Sequence, residues 1–374
     1  MGYSLKPTLD RDLVTQCQYL SAENWKNALK DDDDYILREV VAYNTRLFNG
    51  FRKIDQWNRD SLNGITFWVL QDENGTIASS CETLVRPSYV IRGKGNGESK
   101  VIESVSPCFA SVYTPPAFRG KGQATRMLKG VVERLEEVYK ADPDVFIALY
   151  SEIGRFYEKL GFTFFDVDIL KIHAGVQDQI VVDQEEKYSV VKITKSEECG
   201  EIVSHYDSLV LDDARERCSK DQITRILYKP TVDILEWMFT RAAFIGCKAN
   251  SEEIEYQFGV KILENDKTVG YVTWTYDHLE KSVDILFIHF NDINIFKLLI
   301  KKVLLVLEVL HYDHVSIWES QLFDHKYPVS AEHLENLLKS IRAERGLKNP
   351  SLSAAKFFKG EEFIWEENTK WPWF

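Results

Sequence analysis

Hydrophobic and polar positions in the first part of the chain change from helical to strand-like spacing. Apolar side chains recur at helical intervals in 10–29 and 33–49, which predicts two helices. Apolar runs at 66–70 and 76–84 then flank Asp72-Glu73-Asn74-Gly75, and an Asn-Gly pair readily supplies the positive φ of a tight hairpin. The pattern therefore predicts two helices followed by a β-hairpin.

The next segment has the element order of a parallel α/β unit. The predicted elements are a strand at 109–114, a helix at 123–139, a strand at 145–149, a short helix at 153–160 and a strand at 162–165. A basic, glycine-rich turn from Arg119 to Gly122 connects the first strand to the long helix. In such a unit the chemistry gathers where a strand end meets the loop, so we expect a functional site there.

The second half of the chain repeats this order of elements without repeating the residues. The predicted elements are helices near 199–210 and 232–245, hairpin strands at 255–263 and 268–275, a strand at 283–290, a helix at 293–311 and a strand at 315–319. We interpret this order as a diverged structural duplication. No glycine-rich turn stands between Phe290 and the following helix, so we expect the second copy to lack the anion site of the first.

The composition is that of a globular protein, with 44% hydrophobic and 28% charged residues among 374. This length exceeds what one hydrophobic core usually organises, which predicts two domains. The formal charge of −12 argues against a nucleic-acid partner, and the apolar stretches are too short or too charged to predict a membrane partner. Six widely spaced cysteines without metal-ligand spacing indicate reduced thiols, and hence a cytoplasmic or nuclear protein.

The sextet Arg119-Gly120-Lys121-Gly122-Gln123-Ala124 is the most informative chemical signal in the chain. Free amides at a helix N-terminus bind anions, glycines allow a phosphate to approach the backbone, and the two cations add positive charge. Taken alone, the sextet is equally compatible with an ordinary strand-to-helix turn on the surface.

Two motifs in sequence order resemble the GNAT superfamily of N-acetyltransferases. The segment 114–124 is similar to its acetyl-coenzyme A signature, Arg/Gln-x-x-Gly-x-Gly/Ala, and the segment 156–162, about 35 residues downstream, is similar to its second motif. The resemblance implies a mixed α/β fold that uses acetyl-CoA as cosubstrate and needs no metal. It places the pantetheine arm along Val112, Tyr113 and Thr114, and the pyrophosphate in a loop made of Arg119, Gly120, Lys121, Gly122, Gln123, Ala124 and Thr125.

The same resemblance implies a catalytic role for Tyr157. This residue stands at the family's Tyr position, where a phenol with a pKa of about 10 protonates the departing thiolate of coenzyme A. The alternative for Tyr157 is a packed aromatic side chain of an amphipathic helix. Its neighbours Phe156 and Phe162 are interpreted as core residues.

Acetyl transfer to an amine also needs a base, because an alkyl ammonium with a pKa of about 10.4 is protonated at neutral pH. Many relatives place a glutamate on the strand before the loop, but 105–110 contains no carboxylate. Glu82, Glu103 and Glu152 are the nearby alternatives. The aromatic C-terminal segment offers another, because some tandem relatives use a terminal carboxylate, which here belongs to Phe374. The preferred interpretation of this segment is a hydrophobic plug between domains.

The architecture of the whole chain resembles the fungal L-lysine N6-acetyltransferase family. The resemblance implies tandem acetyltransferase-like folds, with a catalytic acetyl-CoA-binding domain at 1–175 and a diverged domain at 188–374 that contributes to the acceptor site. Free L-lysine is then the leading acceptor, and polyamines, protein amines or a catalytically silent acyl-CoA sensor are the alternatives. The acidic run Asp31–Asp34 is interpreted as a solvated helix start, with a contribution to the acceptor site as the alternative. The oligomeric state stays open.

Overall fold

The computed structural model describes residues 2–49, 64–142, 144–249, 254–325 and 327–373. Its first half alternates strands and helices much as the spacing predicts. The elements are β1 (Tyr3–Thr8), α1 (Arg11–Trp25), α2 (Asp32–Tyr43), α3 (Arg46–Asn49), β2 (Ile65–Asp72), β3 (Ile77–Gly93), β4 (Ser99–Tyr113), α4 (Gln123–Val138), β5 (Phe146–Ser151) and β6 (Thr163–Phe165). The short helix predicted before β6 is a 3-10 helix, Phe156–Leu160.

The second half repeats this order and adds strands that the spacing did not predict. The elements are β7 (Asp168–His173), β8 (Ser189–Ile193), α5 (Gly200–Asp221), β9 (Thr224–Tyr228), α6 (Val232–Ala249), β10 (Gly259–Glu264), β11 (Lys267–Asp277), β12 (Ser282–Phe290), α7 (Ile293–Leu310), β13 (His314–Trp318), α8 (Ser320–Phe323), α9 (Ala331–Ser340), β14 (Glu344–Lys348), β15 (Leu352–Phe357) and β16 (Phe363–Trp365). The unpredicted strands in this part are short: β7, β8, β9, β14, β15 and β16 have three to six residues each, too few for a periodic signal.

The first sheet has the order β1-β2-β3-β4-β5-β15-β6, with β9 also paired to β3. Helix α4 covers one face through Met127, Leu128 and Val131. Helices α1 and α2 lie on the opposite face, where Cys17 of α1 packs against Val69. The first sheet is thus covered by helices on both faces. The glycine-rich turn connects its strand β4 to α4.

The second sheet has the order β14-β7-β13-β12-β11-β10-β8. Its β10, β11 and β12 correspond in order to β2, β3 and β4, and α7 packs against β11 and β12 as α4 packs against the first sheet. The side chains that α7 turns toward this sheet, including Ile295, Leu299 and Val303, are fully buried. Within the described ranges, no helix has both the length and the apolarity to cross a membrane.

The two sheets exchange strands: β7 lies in the second sheet, while β9, β15 and β16 lie in the first. β7 follows β6 in the chain but pairs antiparallel with β13, and β15 follows β14 but pairs antiparallel with β5. Each half of the chain therefore completes the sheet of the other half. The division into domains at 1–175 and 188–374 stays a prediction, because strand pairing joins the two segments through their backbones.

Candidate active site

The parallel strands β4 and β5 separate close to the glycine-rich turn. They pair at Cys108 and Ala148 and diverge beyond that point. A bulge in β4 accompanies the separation, and its residue Ser111 has a left-handed φ of 51°. The divergence exposes an edge of β4 toward the gap, and such an edge can pair with the amides of an extended ligand. Val112, Tyr113 and Thr114 lie on this stretch, where the sequence predicted the pantetheine arm.

The turn between β4 and α4 has the backbone that a phosphate-binding loop needs. Gly120 and Gly122 have φ values of 72° and 76°, and a Cβ added at either would meet no atom within 4 Å. The N-terminus of α4 has no side-chain cap and no acidic residue in its first turn. Its first amides are therefore open to an anion, and the space over the glycines fits a pyrophosphate.

The cationic side chains of the turn fold back over it. Arg119 donates from Nε to the carbonyl oxygen of Thr114 at 3.0 Å, and Lys121 donates from Nζ to that of Ala117 at 2.8 Å. Both positive charges consequently stay beside the open amides, where they favour phosphate oxygens. This is the basic cluster that the sequence predicted.

The corresponding region of the second sheet is closed by the chain itself. The Asp292 carboxylate caps α7 by accepting from the amides of Asn294 and Ile295 at 2.7 and 3.0 Å. Beside β12, Gln321 donates to the carbonyl oxygen of Leu286 at 2.7 Å, and the Tyr327 hydroxyl donates to that of Ile288 at 3.0 Å. The amides and the strand edge that would bind coenzyme A are thus occupied, as expected for a copy without the glycine turn.

Tyr157 lies on the face of the first sheet that α4 covers. It is 5% exposed and packs with Phe162 at 6.0 Å between ring centroids, in the same cluster as Cys81 and Met127. Burial, with smaller effects from Cys81 and Glu152, raises the pKa of its phenol. The phenol therefore keeps its proton at neutral pH, as a general acid must.

Glu82 lies on the opposite face, on β3 beside the bulge. It is 7% exposed, and the Tyr43 hydroxyl of α2 donates to its Oε1 at 3.4 Å. Burial and the nearby Glu39 carboxylate raise the pKa of Glu82 to about 8, against hydrogen bonds from Ser111 and Tyr43. A cavity of about 10 Å³, near the lower limit for one water molecule, adjoins this carboxyl. Glu82 is thus buried, has a raised pKa and lies beside the gap. This combination is typical of functional carboxyls.

The other predicted carboxylates have ordinary surroundings. The side chain of Glu103 is 79% exposed, 3.9 Å from Lys229 Nζ, and Glu152 is exposed. In the acidic run of 31–34, Asp31 caps α2 through the Asp34 amide, and the other three side chains each contact a partner, Lys26, Tyr19 or Lys248. This run is a solvated, capped helix start, which confirms the preferred interpretation.

Phe374 lies outside the described residues, so its predicted role stays a prediction. The residues before it dock between the two sheets. Trp373 packs on Tyr150 of β5 with ring centroids 4.8 Å apart, Trp371 packs on Phe287 of the second sheet at 5.7 Å, and Arg86 of β3 donates to the Pro372 carbonyl oxygen at 2.6 Å. The docked segment is a hydrophobic plug in its described part.

A buried ionic cluster anchors this C-terminal segment. Glu367 lies 3.0 Å from His325, which in turn contacts Asp213 of α5 at 2.9 Å. Burial lowers the pKa of His325, but the two carboxylates outweigh it and raise that pKa to about 9. The His325 imidazolium is therefore charged at neutral pH, and its ion pairs with Glu367 and Asp213 hold the C-terminal segment against α5.

Sequence reasoning missed Tyr43 and Ser111, the two side chains that contact the Glu82 carboxyl. No local pattern marks either of them, because one acts through a helix packed on the sheet and the other through a bulge. It also left Glu82 as one of several equivalent candidates. Burial, which only the packed structure defines, distinguishes Glu82 from the exposed carboxylates.

The fold, the open glycine turn and the buried tyrosine define an acyltransferase of the GNAT N-acetyltransferase class. Residues 177–374, more than half of the chain, match the model of the LYC1 GNAT-like C-terminal domain, and the chain belongs to this family.

Known proteins similar to the chain cover it to different extents. It is 27% identical over 429 aligned positions to the uncharacterized protein YGR111W of Saccharomyces cerevisiae, with 98% of each chain covered. A lysine acetyltransferase of Yarrowia lipolytica is 29% identical over 150 positions, which cover 33% of this chain and 37% of that protein. A tandem GNAT protein from the clavulanic acid biosynthesis pathway has a similar structure, with a TM-score of 0.51 at 10% identity, over 96% of this chain and all of that one. The predicted tandem fold is confirmed.

Proposed function

We propose that this acyltransferase transfers an acetyl group from acetyl-CoA to the side-chain amine of free L-lysine. The observation that carries the proposal is the gap between β4 and β5, with an open anion-binding turn at one end, Tyr157 on one face and Glu82 on the other. The choice of lysine is supported by the matched LYC1-like domain and by the Yarrowia relative that is named a lysine acetyltransferase.

The chain's own residues would hold the cosubstrate at the gap. The amides that open α4, with Arg119 and Lys121, would bind its pyrophosphate, and the edge of β4 at 112–114 would pair with its pantetheine arm. Acetyl-CoA supplies an activated acetyl thioester when bound. Backbone amides near the bulge would polarise its carbonyl, in the manner of an oxyanion hole.

Two protons leave the acceptor nitrogen in the reaction, and one proton reaches the sulfur. Glu82 in its ionised form accepts a proton from the substrate ammonium, directly or through one water in the adjoining cavity. The amine nitrogen then bonds to the carbonyl carbon, the carbon–sulfur bond breaks, and Tyr157 donates its proton to the sulfur. The second proton that the nitrogen loses as it becomes an amide nitrogen passes through water to the Tyr157 phenolate and restores the phenol. The carboxylate of Phe374 is the alternative base, because Trp373 packs beside the same gap.

Replacing Tyr157 with Phe is expected to lower kcat by about 10²-fold while changing the KM for acetyl-CoA little, because a general acid acts after binding. Steady-state release of free thiol measures both constants. Tyr139→Phe is the matched control, since it also removes a buried tyrosine hydroxyl but at the C-terminal end of α4. Equal losses in the two variants would remove Tyr157 from the mechanism.

Incubation of the full chain with acetyl-CoA and a panel of amines tests the proposed function. We expect thiol release with L-lysine to exceed release with polyamines and with a lysine-containing peptide, and mass spectrometry to locate the acetyl group on the side-chain nitrogen. A preference for polyamines or the peptide would replace lysine as the acceptor. Absence of turnover with every acceptor would favour an acyl-CoA sensor.

A further inference from the structure

Helix α6 of the second half packs against α2 of the first half, on the side of the first sheet that carries Glu82. Arg241 lies on this helix, and its guanidinium contacts the ring of Trp237 at 5.9 Å. By accessible surface Arg241 is half-buried, while its surroundings are as dense as those of a buried group. The side chain is therefore partly accessible to solvent.

The charge of Arg241 has no close counterion in the described part of the chain. No carboxylate oxygen there lies within 4.0 Å of its guanidinium, whereas two other buried arginines are ion-paired: Arg38 with Glu39, and Arg225 with Asp221 and Glu366. Burial and the adjacent Arg38 lower the pKa of Arg241 to about 10, so the guanidinium is still charged at neutral pH. A desolvated, unpaired arginine is costly unless an anion completes it.

Helix α2 lies between Glu82 and the helix that carries Arg241, because its Tyr43 donates to Glu82 and its Tyr35 packs in one cluster with Ile245 of α6. Arg38 and Glu39, on consecutive positions of this helix, act electrostatically both on the Glu82 carboxyl and on the Arg241 guanidinium. The surface of α2 therefore connects the catalytic gap to Arg241. A free amino acid with a long side chain presents an amine at one end and a carboxylate at the other, which matches these two groups.

We infer that Arg241 binds the α-carboxylate of the acceptor, so that the enzyme selects a free diamino acid over a polyamine. This inference rests on the proposed transfer to an amine and specifies the substrate class of the same site. The planar guanidinium suits bidentate binding of a carboxylate. Bound there, the amino acid extends its side-chain amine along α2 toward Glu82, and the second half of the chain thereby determines specificity.

The test compares L-lysine with 1,5-diaminopentane, which is lysine without its carboxylate. Wild-type enzyme should prefer lysine by about 30-fold or more in kcat/KM, the effect of one desolvated charge pair. In Arg241→Gln this preference should fall to within a few-fold of unity, mainly through a higher KM for lysine. Arg241→Lys should restore part of it. Lys248→Gln is the matched control, because it removes an exposed cation from the same helix.

Two outcomes would overturn the inference. Equal losses with both amines would indicate a structural role for Arg241, and an unaltered preference in Arg241→Gln would place the carboxylate elsewhere. A binding measurement distinguishes these two outcomes from failure of the proposed function. If wild-type enzyme acetylates neither amine, the increase in Tm that L-lysine causes is measured by thermal denaturation. Stabilisation that Arg241→Gln abolishes supports the inference even then, and stabilisation that is absent or survives the substitution overturns it.

Discussion

Replacing Glu82 with Gln is expected to lower kcat/KM for the amine acceptor by about 10²-fold or more, because the ammonium loses its proton acceptor. The affinity for acetyl-CoA should change little, since Glu82 lies on the face opposite α4. Steady-state kinetics with the acceptor and equilibrium binding of coenzyme A measure the two effects. Glu103→Gln, on the adjacent strand but 79% exposed, is the matched control and should behave as wild type.

The pH dependence of the wild-type enzyme should report the same group. Burial raises the pKa of Glu82 to about 8, so the base is mostly protonated at pH 7 and becomes competent as the pH rises. We expect kcat/KM to increase up to about pH 8 with an inflection there. The inflection should vanish in Glu82→Gln, whose kcat/KM should instead keep rising toward the pKa of the free amine, because this variant can use only acceptor that is already deprotonated.

The Glu82→Gln variant should be less active than wild type but more stable at neutral and alkaline pH. A carboxyl with a folded-state pKa raised from 4.5 to about 8 favours the folded state only while it is protonated, so its contribution is lost progressively between these pH values. The amide has no such loss. The Tm advantage of the variant should therefore grow from pH 5 to pH 8 by about 2 °C or more and then level off.

A chain that stops after Pro372 separates Glu82 from Phe374 as the base. If this truncation abolishes turnover and retains coenzyme A binding, while Glu82→Gln keeps near-normal turnover, the assignment to Glu82 is wrong. If the truncated chain turns over and Glu82→Gln does not, the C-terminal segment serves as a plug. Coenzyme A binding controls for misfolding, because Trp373 packs on Tyr150 of β5.

The second large effect is expected from Gly122→Val, which should weaken coenzyme A binding by about 100-fold or more. Gly122 has a φ of 76°, which a β-branched residue adopts only with strain, and its Cβ position faces open space where the pyrophosphate would lie. A side chain there would displace the phosphate from the amides of α4. Titration of coenzyme A by calorimetry measures the loss.

Gly97→Val is the matched control for the effect of backbone strain. Gly97 lies in the connection between β3 and β4 with a φ of 80°, and its Cβ position also meets no atom within 4 Å. Both substitutions should therefore lower the Tm similarly, but only Gly122→Val should lose the ligand. Normal binding by the Gly122→Val variant would show that the pyrophosphate does not occupy this turn.

Local spacing accounts for the elements that hold the candidate site. The helix at 123–139, the hairpin around Asn74 and Gly75 and the 293–311 helix were predictable, because each has a periodic apolar face or a turn with defined φ. The glycine turn was also predictable, because its features lie within six consecutive residues. Tyr157 followed from the resemblance to a known motif.

The sequence by itself determined the glycine-rich motif that resembles the acetyl-CoA signature, the duplicated order of elements and the residue types available for proton transfer. Only the tertiary structure decided that β7 and β15 are exchanged, that Glu82 is a buried carboxyl beside the gap, and that Arg241 lies on a helix packed against α2 without a counterion among the described residues. The physical reason is that backbone pairing, desolvation and charge compensation depend on segments far apart in the chain. Glu82 and Arg241 lie beside the same helix only because the two halves pack together, and no local pattern encodes that arrangement.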